Sequence, residues 1–201
     1  MSIYRLKPAF QALLRPGVAA LARAGVSANQ VTVTACLVSI GIGALLAFVP
    51  ERNGLFALVP LWMLLRMAMN AIDGMLAREF DQKTPLGAYL NEVSDVVSDA
   101  ALYLPFGLIP GSSMTAVAVV MVLAATSELA GTVAVMTGAS RRYDGPLGKS
   151  DRAFVFGLLG LLVAWGVPLA GWLDWVWTAV ALLTALTVAN RIRGGLSEIV
   201  R

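Results

Sequence analysis

Six apolar segments, each close to the length that carries a helix across a bilayer, constrain this chain more than any other feature. They run roughly Val31–Val49, Leu55–Ala77, Leu86–Ile109, Met114–Thr137, Ala153–Leu169 and Trp172–Ala189. About 20 helical residues cross the hydrocarbon core. Backbone polar groups in lipid must be satisfied within the segment, so the segments are expected to be helices. Turn chemistry separates them at Pro50 to Asn53, Pro110 to Ser113 and Pro168 to Gly171. With 58% hydrophobic and 13% charged residues, the chain is expected to be an all-α integral membrane protein. It reads as one domain over 1–201, with a six-helix bundle over 27–201 and an N-terminal amphipathic helix within 1–26. No internal repeat or low-complexity tract is evident.

Lysine and arginine set the expected orientation. Arg5, Lys7, Arg15 and Arg23 precede the first span, and Arg78 and Lys83 follow the second. Arg141, Arg142, Lys149 and Arg152 lie between spans four and five, and Arg191, Arg193 and Arg201 follow the last. Only Arg52 falls in an opposite loop, so both termini are assigned to the cytoplasmic side. Residues 1–25 intersperse Phe10, Leu13, Leu14, Val18 and Leu21 with basic side chains, and Pro8 and Pro16 interrupt them. This pattern suits a short helix lying along the interface. A cleavable signal peptide is not expected, because no compact apolar core leads to a small-residue cleavage site. Trp172, Trp175 and Trp177 are expected as interfacial anchors, and Cys36 as a packing residue.

The absence of histidine, with Cys36 as the sole cysteine, excludes an internal disulfide and His- or Cys-based zinc sites. It also excludes histidine acid–base chemistry and serine triads. An enzyme built from this chain would use a carboxylate as base and an oxygen-ligated cation. The residues for that chemistry lie between Asn70 and Asp99. Asn70 and Asp73 share a helix face at i, i+3, while Asn91, Asp95 and Asp99 follow at i, i+4, i+8 on the next span. Counting rise per residue puts Asn70, Asp73, Asn91 and Asp95 in one layer, roughly 8–15 Å inside the helix ends. Gly74 and Gly87 leave room for close approach, and Arg78 at a helix end suits a phosphate. Ionisable groups at membrane depth usually face a cavity and mark a site. Arg66 counts to the depth of Asp99, which predicts an ion pair between spans two and three.

This pattern resembles the signature of the CDP-alcohol phosphotransferase family, D-x2-D-G-x2-A-R-x8-G-x3-D-x3-D. Asp73, Gly74, Ala77, Arg78, Gly87 and Asp95 match at the family's spacings, and Asn70 and Asn91 stand at its first and third aspartates. Ser27 to Thr32 resembles the family's P-N-x-x-T element, with Ala28 in place of proline and Asn29 and Thr32 matching. The resemblance implies a membrane transferase of phospholipid synthesis. It would join CDP-diacylglycerol, or another CDP-alcohol, to an alcohol acceptor and release CMP. It further implies magnesium or manganese as cofactor and a homodimer in the cytoplasmic membrane of a bacterium; no nucleic-acid partner is expected. By this carry-over Asp73, Asn70, Asn91 and Asp95 hold the metal, and Asp95 is the base. Asn29, Thr32, Asp73, Gly74, Ala77, Arg78 and Gly87 hold the nucleotide and its phosphates. With two neutral asparagines, the substrate-free protein is expected to hold one cation weakly or none.

Three further groups extend the site. Lys149, Arg152, Arg191 and Arg193 form a candidate acceptor pocket, which in the family holds the acceptor's phosphate where there is one. Gly148 to Arg152 opens span five but is not a P-loop, since Tyr143 stands where the first glycine belongs. Asp99 and Glu128 are candidate extra carboxylates, and Glu128 stands open between pairing and a site role. Two rival readings are a pseudoenzyme that binds CDP-lipid or nucleotide without turnover, and a transporter or channel. The residues do not separate glycerol phosphate, an inositol compound, serine or another alcohol as acceptor. The topology is tested by single cysteines at Ser2, Ser112 and Ser197 in a Cys36→Ala background. An impermeant maleimide is expected to label only Ser112→Cys from outside; labelling of that variant from the cytoplasmic side alone would invert the assignment.

Overall fold

The computed structural model describes residues 6–200, and these are all-helical. Arg5 and Arg201, counted above for orientation, lie outside the described residues. Seven α-helices follow in order: α1 (Leu6–Arg23), α2 (Ala28–Phe48), α3 (Leu58–Glu79), α4 (Pro85–Tyr103), α5 (Met114–Met136), α6 (Lys149–Ala164) and α7 (Leu173–Ile199). Short 3₁₀ turns, Asn53–Ala57 and Leu104–Leu108, precede α3 and follow α4. Four stretches are long and apolar enough to cross a membrane: Ala28–Phe48, Asn53–Glu79, Met114–Met136 and Leu173–Ile199. Two expected spans fall short of that standard. Helix α4 carries Glu92, Asp95 and Asp99, and α6 has only 16 residues. The segment around α6 is shifted from its expected place: the helix begins at Lys149 rather than near Ala153 and stops at Ala164. Helix α7 runs past the expected end at Ala189, so Arg191 and Arg193 belong to the helix itself.

Local chemistry sets the helix starts. Ser27 caps α2 in a reciprocal box: its hydroxyl accepts from the Gln30 amide at 3.2 Å, and its own amide donates to Gln30 Oε1 at 2.8 Å. Thr84 caps α4 with Pro85 at the first turn, its hydroxyl accepting from the Gly87 amide at 2.9 Å. Contrary to expectation, Pro16 does not interrupt α1, which runs through it. Helix α1 lies against α3, burying Val18 beside Met75 and Leu76.

Helix α2 packs on α3 and α4, α3 on α6, and α5 on α7. Most of the core lies at the end of the bundle away from α1. There Phe56, Tyr103, Phe106, Phe156 and Trp177 form one aromatic cluster, with Tyr103 stacked on Phe156 at 3.9 Å between centroids. Trp177 is 1% exposed and donates to Ser112 at 2.9 Å, so it is a core residue rather than an interfacial anchor. Its indole stacks on Phe156, and the N–H finds its partner in the loop before α5. Trp172 and Trp175 are exposed. Leucines such as Leu37, Leu61, Leu64 and Leu182 face outward along the spans. Such an exterior suits lipid, and the chain is an integral membrane protein.

Close backbone approach holds α2 against α4. A Cβ built on Gly43 would lie 2.0 Å from the carbonyl oxygen of Ala101, whereas one on Gly41 meets nothing within 4 Å. Gly43→Ala must push the two helices apart and is expected to destabilise by about 1–3 kcal/mol. Thermal unfolding in detergent checks this: Gly43→Ala should lower the midpoint and Gly41→Ala should not. Equal midpoints would mean that the helix pair relaxes freely.

Candidate functional site

Helices α3 and α4 run antiparallel through the bundle and carry the polar residues on facing stripes. Arg66, Asn70 and Asp73 form the stripe on α3. Asn91, Asp95 and Asp99 lie along α4, and Arg66 joins them at two levels. Its Nη1 lies 2.5 Å from Asp99 Oδ1, and its Nη2 donates to Asp95 at 3.0 Å (Oδ1) and 3.1 Å (backbone O). Asn70 turns its amide nitrogen toward Asp95 Oδ1 at 3.4 Å. On the other side, the Lys149 ammonium at the start of α6 pairs with Asp95 Oδ2. Asp95 therefore has Arg66 and Asn70 at one carboxylate oxygen and Lys149 at the other. The predicted Arg66–Asp99 pair is present and buried, with both side chains under 10% exposed.

A second cluster lies where α2 begins. The Thr32 hydroxyl donates to Asp73 Oδ2 at 2.7 Å, and both residues are buried. Gln82, in the turn before α4, accepts from the Ala28 amide at 2.7 Å and so ties that turn to the start of α2. The two signature glycines leave the expected space. A side chain on Gly87 would collide with Asn29 Oδ1 at 2.7 Å, and one on Gly74 with the Arg78 guanidinium at 2.9 Å. Asn29, Thr32, Asp73, Gly74, Arg78 and Gly87 thus gather at one end of the α2–α3–α4 packing.

The basic candidates divide. Arg152 and Arg191 are buried and share Glu128, at 2.8 and 3.2 Å respectively. Arg152 also donates to Ser127 Oγ at 3.2 Å, and Arg191 to the Ser127 carbonyl at 2.5 Å. Lys149 belongs with Asp95, while Arg193 points outward and lines neither cavity described below. Two participants escaped the sequence reading. Arg141, counted only for topology, forms an ion pair with Glu92 on α4. Glu92 lies one residue off the i, i+4 ridge, so spacing gave no signal for it. The loop carrying Arg141 is fastened by Arg142, which bridges Asp144 and Glu198. Its guanidinium holds the Asp144 carboxyl below the usual carboxylate range.

Two cavities meet at this layer. One, about 560 Å³, runs along α3 and α6 between Pro60, Met63, Met67, Phe154, Leu158 and Leu161, and ends at Arg66, Asn70, Asp99 and Lys149. The other, about 460 Å³, is lined by Asn91, Glu92, Asp95, Glu128, Arg141, Lys149 and Arg191. Lys149 and Ser150 line both. The first is apolar along its length and polar at one end; the second is lined mainly by charged and polar side chains. Among the described residues, no three carboxylates, histidines or cysteines gather as metal ligands. A cation here would rely on the amide oxygens of the asparagines.

Comparison with known proteins identifies the family and the fold. Residues 25–188 match the family described as CDP-alcohol phosphatidyltransferase. The Escherichia coli K12 inner membrane protein YnbA is 44% identical over 193 residues, covering 96% of each chain. An uncharacterized protein of Aquifex aeolicus VF5 is 34% identical over 104 residues, about half of each. The fold is that of Mycobacterium tuberculosis phosphatidylinositol phosphate synthase. Its structure with manganese and citrate superposes with a TM-score of 0.72 at 22% identity, over 90% of this chain and 88% of that one. Its structure with CDP-DAG bound gives 0.67 at 20% identity, over 92% of both.

The Arg66 pair yields a stability test. Asp99→Ala leaves a buried guanidinium with one partner fewer and is expected to cost about 3–5 kcal/mol. An Arg66→Met, Asp99→Leu double variant removes both buried charges and should recover most of that loss. Thermal midpoints in detergent decide it; a double variant no better than Asp99→Ala would mean that the residual cost lies with Asp95.

Proposed function

The chain belongs to the CDP-alcohol phosphatidyltransferase family, and we propose that it transfers a phosphatidyl or related phospho-alcohol group from a CDP-activated lipid to an alcohol acceptor. The observation that carries this reading is the meeting of the two cavities at Lys149 and Ser150, with Asp95 on the wall of the polar one and paired with Lys149. An apolar groove between α3 and α6 suits the tails of a lipid donor, and its polar end suits the diphosphate. The synthase of the same fold binds CDP-DAG. The polar cavity on the far side of Asp95 suits a small hydroxylated acceptor. Charged groups at membrane depth are retained where a site needs them.

On this reading Asn29, Thr32 and Arg78, with the space left by Gly74 and Gly87, position the nucleotide. Ala77 keeps the neighbouring face of α3 small. Asp95 takes the proton from the acceptor hydroxyl. The hydroxyl oxygen bonds to the phosphorus nearer the lipid. The bond from that phosphorus to the bridging oxygen breaks, and CMP departs with that oxygen. Lys149 must release Asp95 Oδ2 for the proton to arrive. Its flexible stem and half-buried position permit this, and the diphosphate offers the ammonium a new partner.

The donor set fits one hard cation, magnesium or manganese. Asp73 and Asp95 provide carboxylates, Asn91 faces the polar cavity, and Asn70 keeps its carbonyl oxygen free because its nitrogen faces Asp95. Such a cation, when bound, would neutralise the diphosphate and the departing CMP. The two neutral asparagines at signature aspartate positions favour one ion over two. Helices α4 and α6 would complete six spans with both termini cytoplasmic, α1 would lie on the interface, and the protein would act as a homodimer. A binding-only protein is the second reading, favoured by the protein cations that already occupy both oxygens of Asp95.

Purified protein, CDP-diacylglycerol, Mg²⁺ or Mn²⁺ and a panel of acceptors test this by CMP release. Asp95→Asn is expected to lower turnover by about 10²–10⁴-fold while CDP-lipid still binds. Asp73→Asn should lose both, because on this reading Asp73 anchors the cation that would hold the diphosphate. Near-normal turnover in either variant contradicts the scheme, and donor binding without CMP release in the unaltered protein selects the second reading.

A further inference from the structure

The polar cavity carries four carboxylates on its wall: Glu92, Asp95, Glu128 and Asp151. Three cations stand among them, Arg141, Lys149 and Arg191, and Arg152 behind Glu128 is the fourth. Every one of these cations has an internal partner. Arg141 pairs with Glu92, Lys149 with Asp95, and Arg191 and Arg152 with Glu128. Asp151 accepts from the Gly148 amide at 2.8 Å. The two arginines that a phosphate would seek are the most deeply buried, and a carboxylate already lies between them.

We propose that the acceptor is a neutral polyhydroxylated alcohol, carrying no phosphate or carboxylate of its own, and that Glu128 and Glu92 set this selectivity. The inference rests on the transferase reading above. A phosphate dianion entering this cavity would lie beside carboxylates and would have to break an existing ion pair to gain a cation. Hydroxyl groups face no such barrier. They donate to the carboxylate oxygens and accept from N–H groups. On the cavity wall, Arg141 and Arg191 each keep a buried Nε–H without a protein partner. Orphaned donors on wall residues of a cavity of ligand size point to oxygen acceptors, reached by a small shift of the guanidinium, on whatever fills it. A charge-balanced wall with unused single donors therefore selects for oxygens without net charge. A site built for phosphate would instead present a guanidinium free to form a two-bond fork.

Matched acceptor pairs test the proposal: glycerol against glycerol 3-phosphate, and inositol against inositol 1-phosphate, each with CDP-diacylglycerol. For the unaltered protein the neutral member is expected to give a kcat/KM at least about tenfold higher. Glu128→Gln frees two guanidinium groups and should move the ratio toward the phosphorylated member by about tenfold or more. Because that variant exposes two buried charges to mispairing, Glu92→Gln at the half-exposed Arg141 pair provides a second test, with a shift in the same direction. Calorimetric titration of the unaltered protein with glycerol 3-phosphate and with inorganic phosphate gives a readout that needs no turnover. No saturable binding is expected at low millimolar concentration. Preference for a phosphorylated acceptor, or saturable phosphate binding that both variants leave unchanged, overturns the proposal. If no acceptor yields CMP, the transferase reading fails, and the titration still decides the charge character of the cavity.

Discussion

The guanidinium of Arg66 organises the polar interior of this bundle. Placed on α3, it reaches Asp99 and Asp95 on α4 at once. Burying a charge costs several kcal/mol, and only good geometry with further hydrogen bonds offsets that cost. Arg66 meets the condition with a fork, one arm on Asp99 and the other on both the carboxylate and the backbone of Asp95. Asp95, held by this anchor, also contacts Asn70 beside it and Lys149 opposite. A buried pair of this kind is weak evidence for stability. Its effect here is to tie the polar stripe of α3 to that of α4 across the interior.

The second organising feature is charge balance. The layer contains acidic groups from α4, α5 and α6, and basic groups from α3, α6, α7 and the loop before α6. Each basic group is paired with a carboxylate within the protein, and Asp151 accepts from the Gly148 amide. Low dielectric makes an unmatched charge expensive. A bundle with two asparagines in place of carboxylates has less negative charge to bring a cation in, and Lys149 already stands at Asp95. The apolar groove and the polar cavity adjoin at Lys149 and Ser150, so an apolar and a charged environment meet there without any separate domain.

Much of this was legible beforehand, and the reasons are local. The stripes on α3 and α4 follow from helix periodicity. Ser27 and Thr84 announce the starts of α2 and α4 through capping chemistry, and Gly74 and Gly87 mark close approach. The Arg66–Asp99 pair was readable by counting rise along two helices joined by a short loop. The same reasoning failed where distance along the chain was large. Trp177 looked like an interfacial anchor and is a core residue, because its partners Phe156 and Ser112 belong to other segments. Pro16 looked like a break, yet α1 tolerates it. Glu92, next to the ridge rather than on it, gave no periodic signal, although its arginine lies 49 residues away.

By itself, then, the sequence determined the helical, membrane-embedded character of the chain and the alignment of Asn70, Asp73, Asn91, Asp95 and Asp99 along two helices. Both depend on interactions within one segment: backbone satisfaction in lipid, and a rise and rotation that every helix shares. Only the tertiary structure decided which charge answers which. Lys149 could have faced a phosphate, and Glu128 a cation. Instead Lys149 meets Asp95, and Glu128 lies between Arg152 and Arg191. Those pairings join α4, α5, α6 and α7, whose mutual distances and rotations arise from packing the whole bundle. Coulombic attraction acts on the distance between side chains in space, and no spacing along the chain encodes that distance.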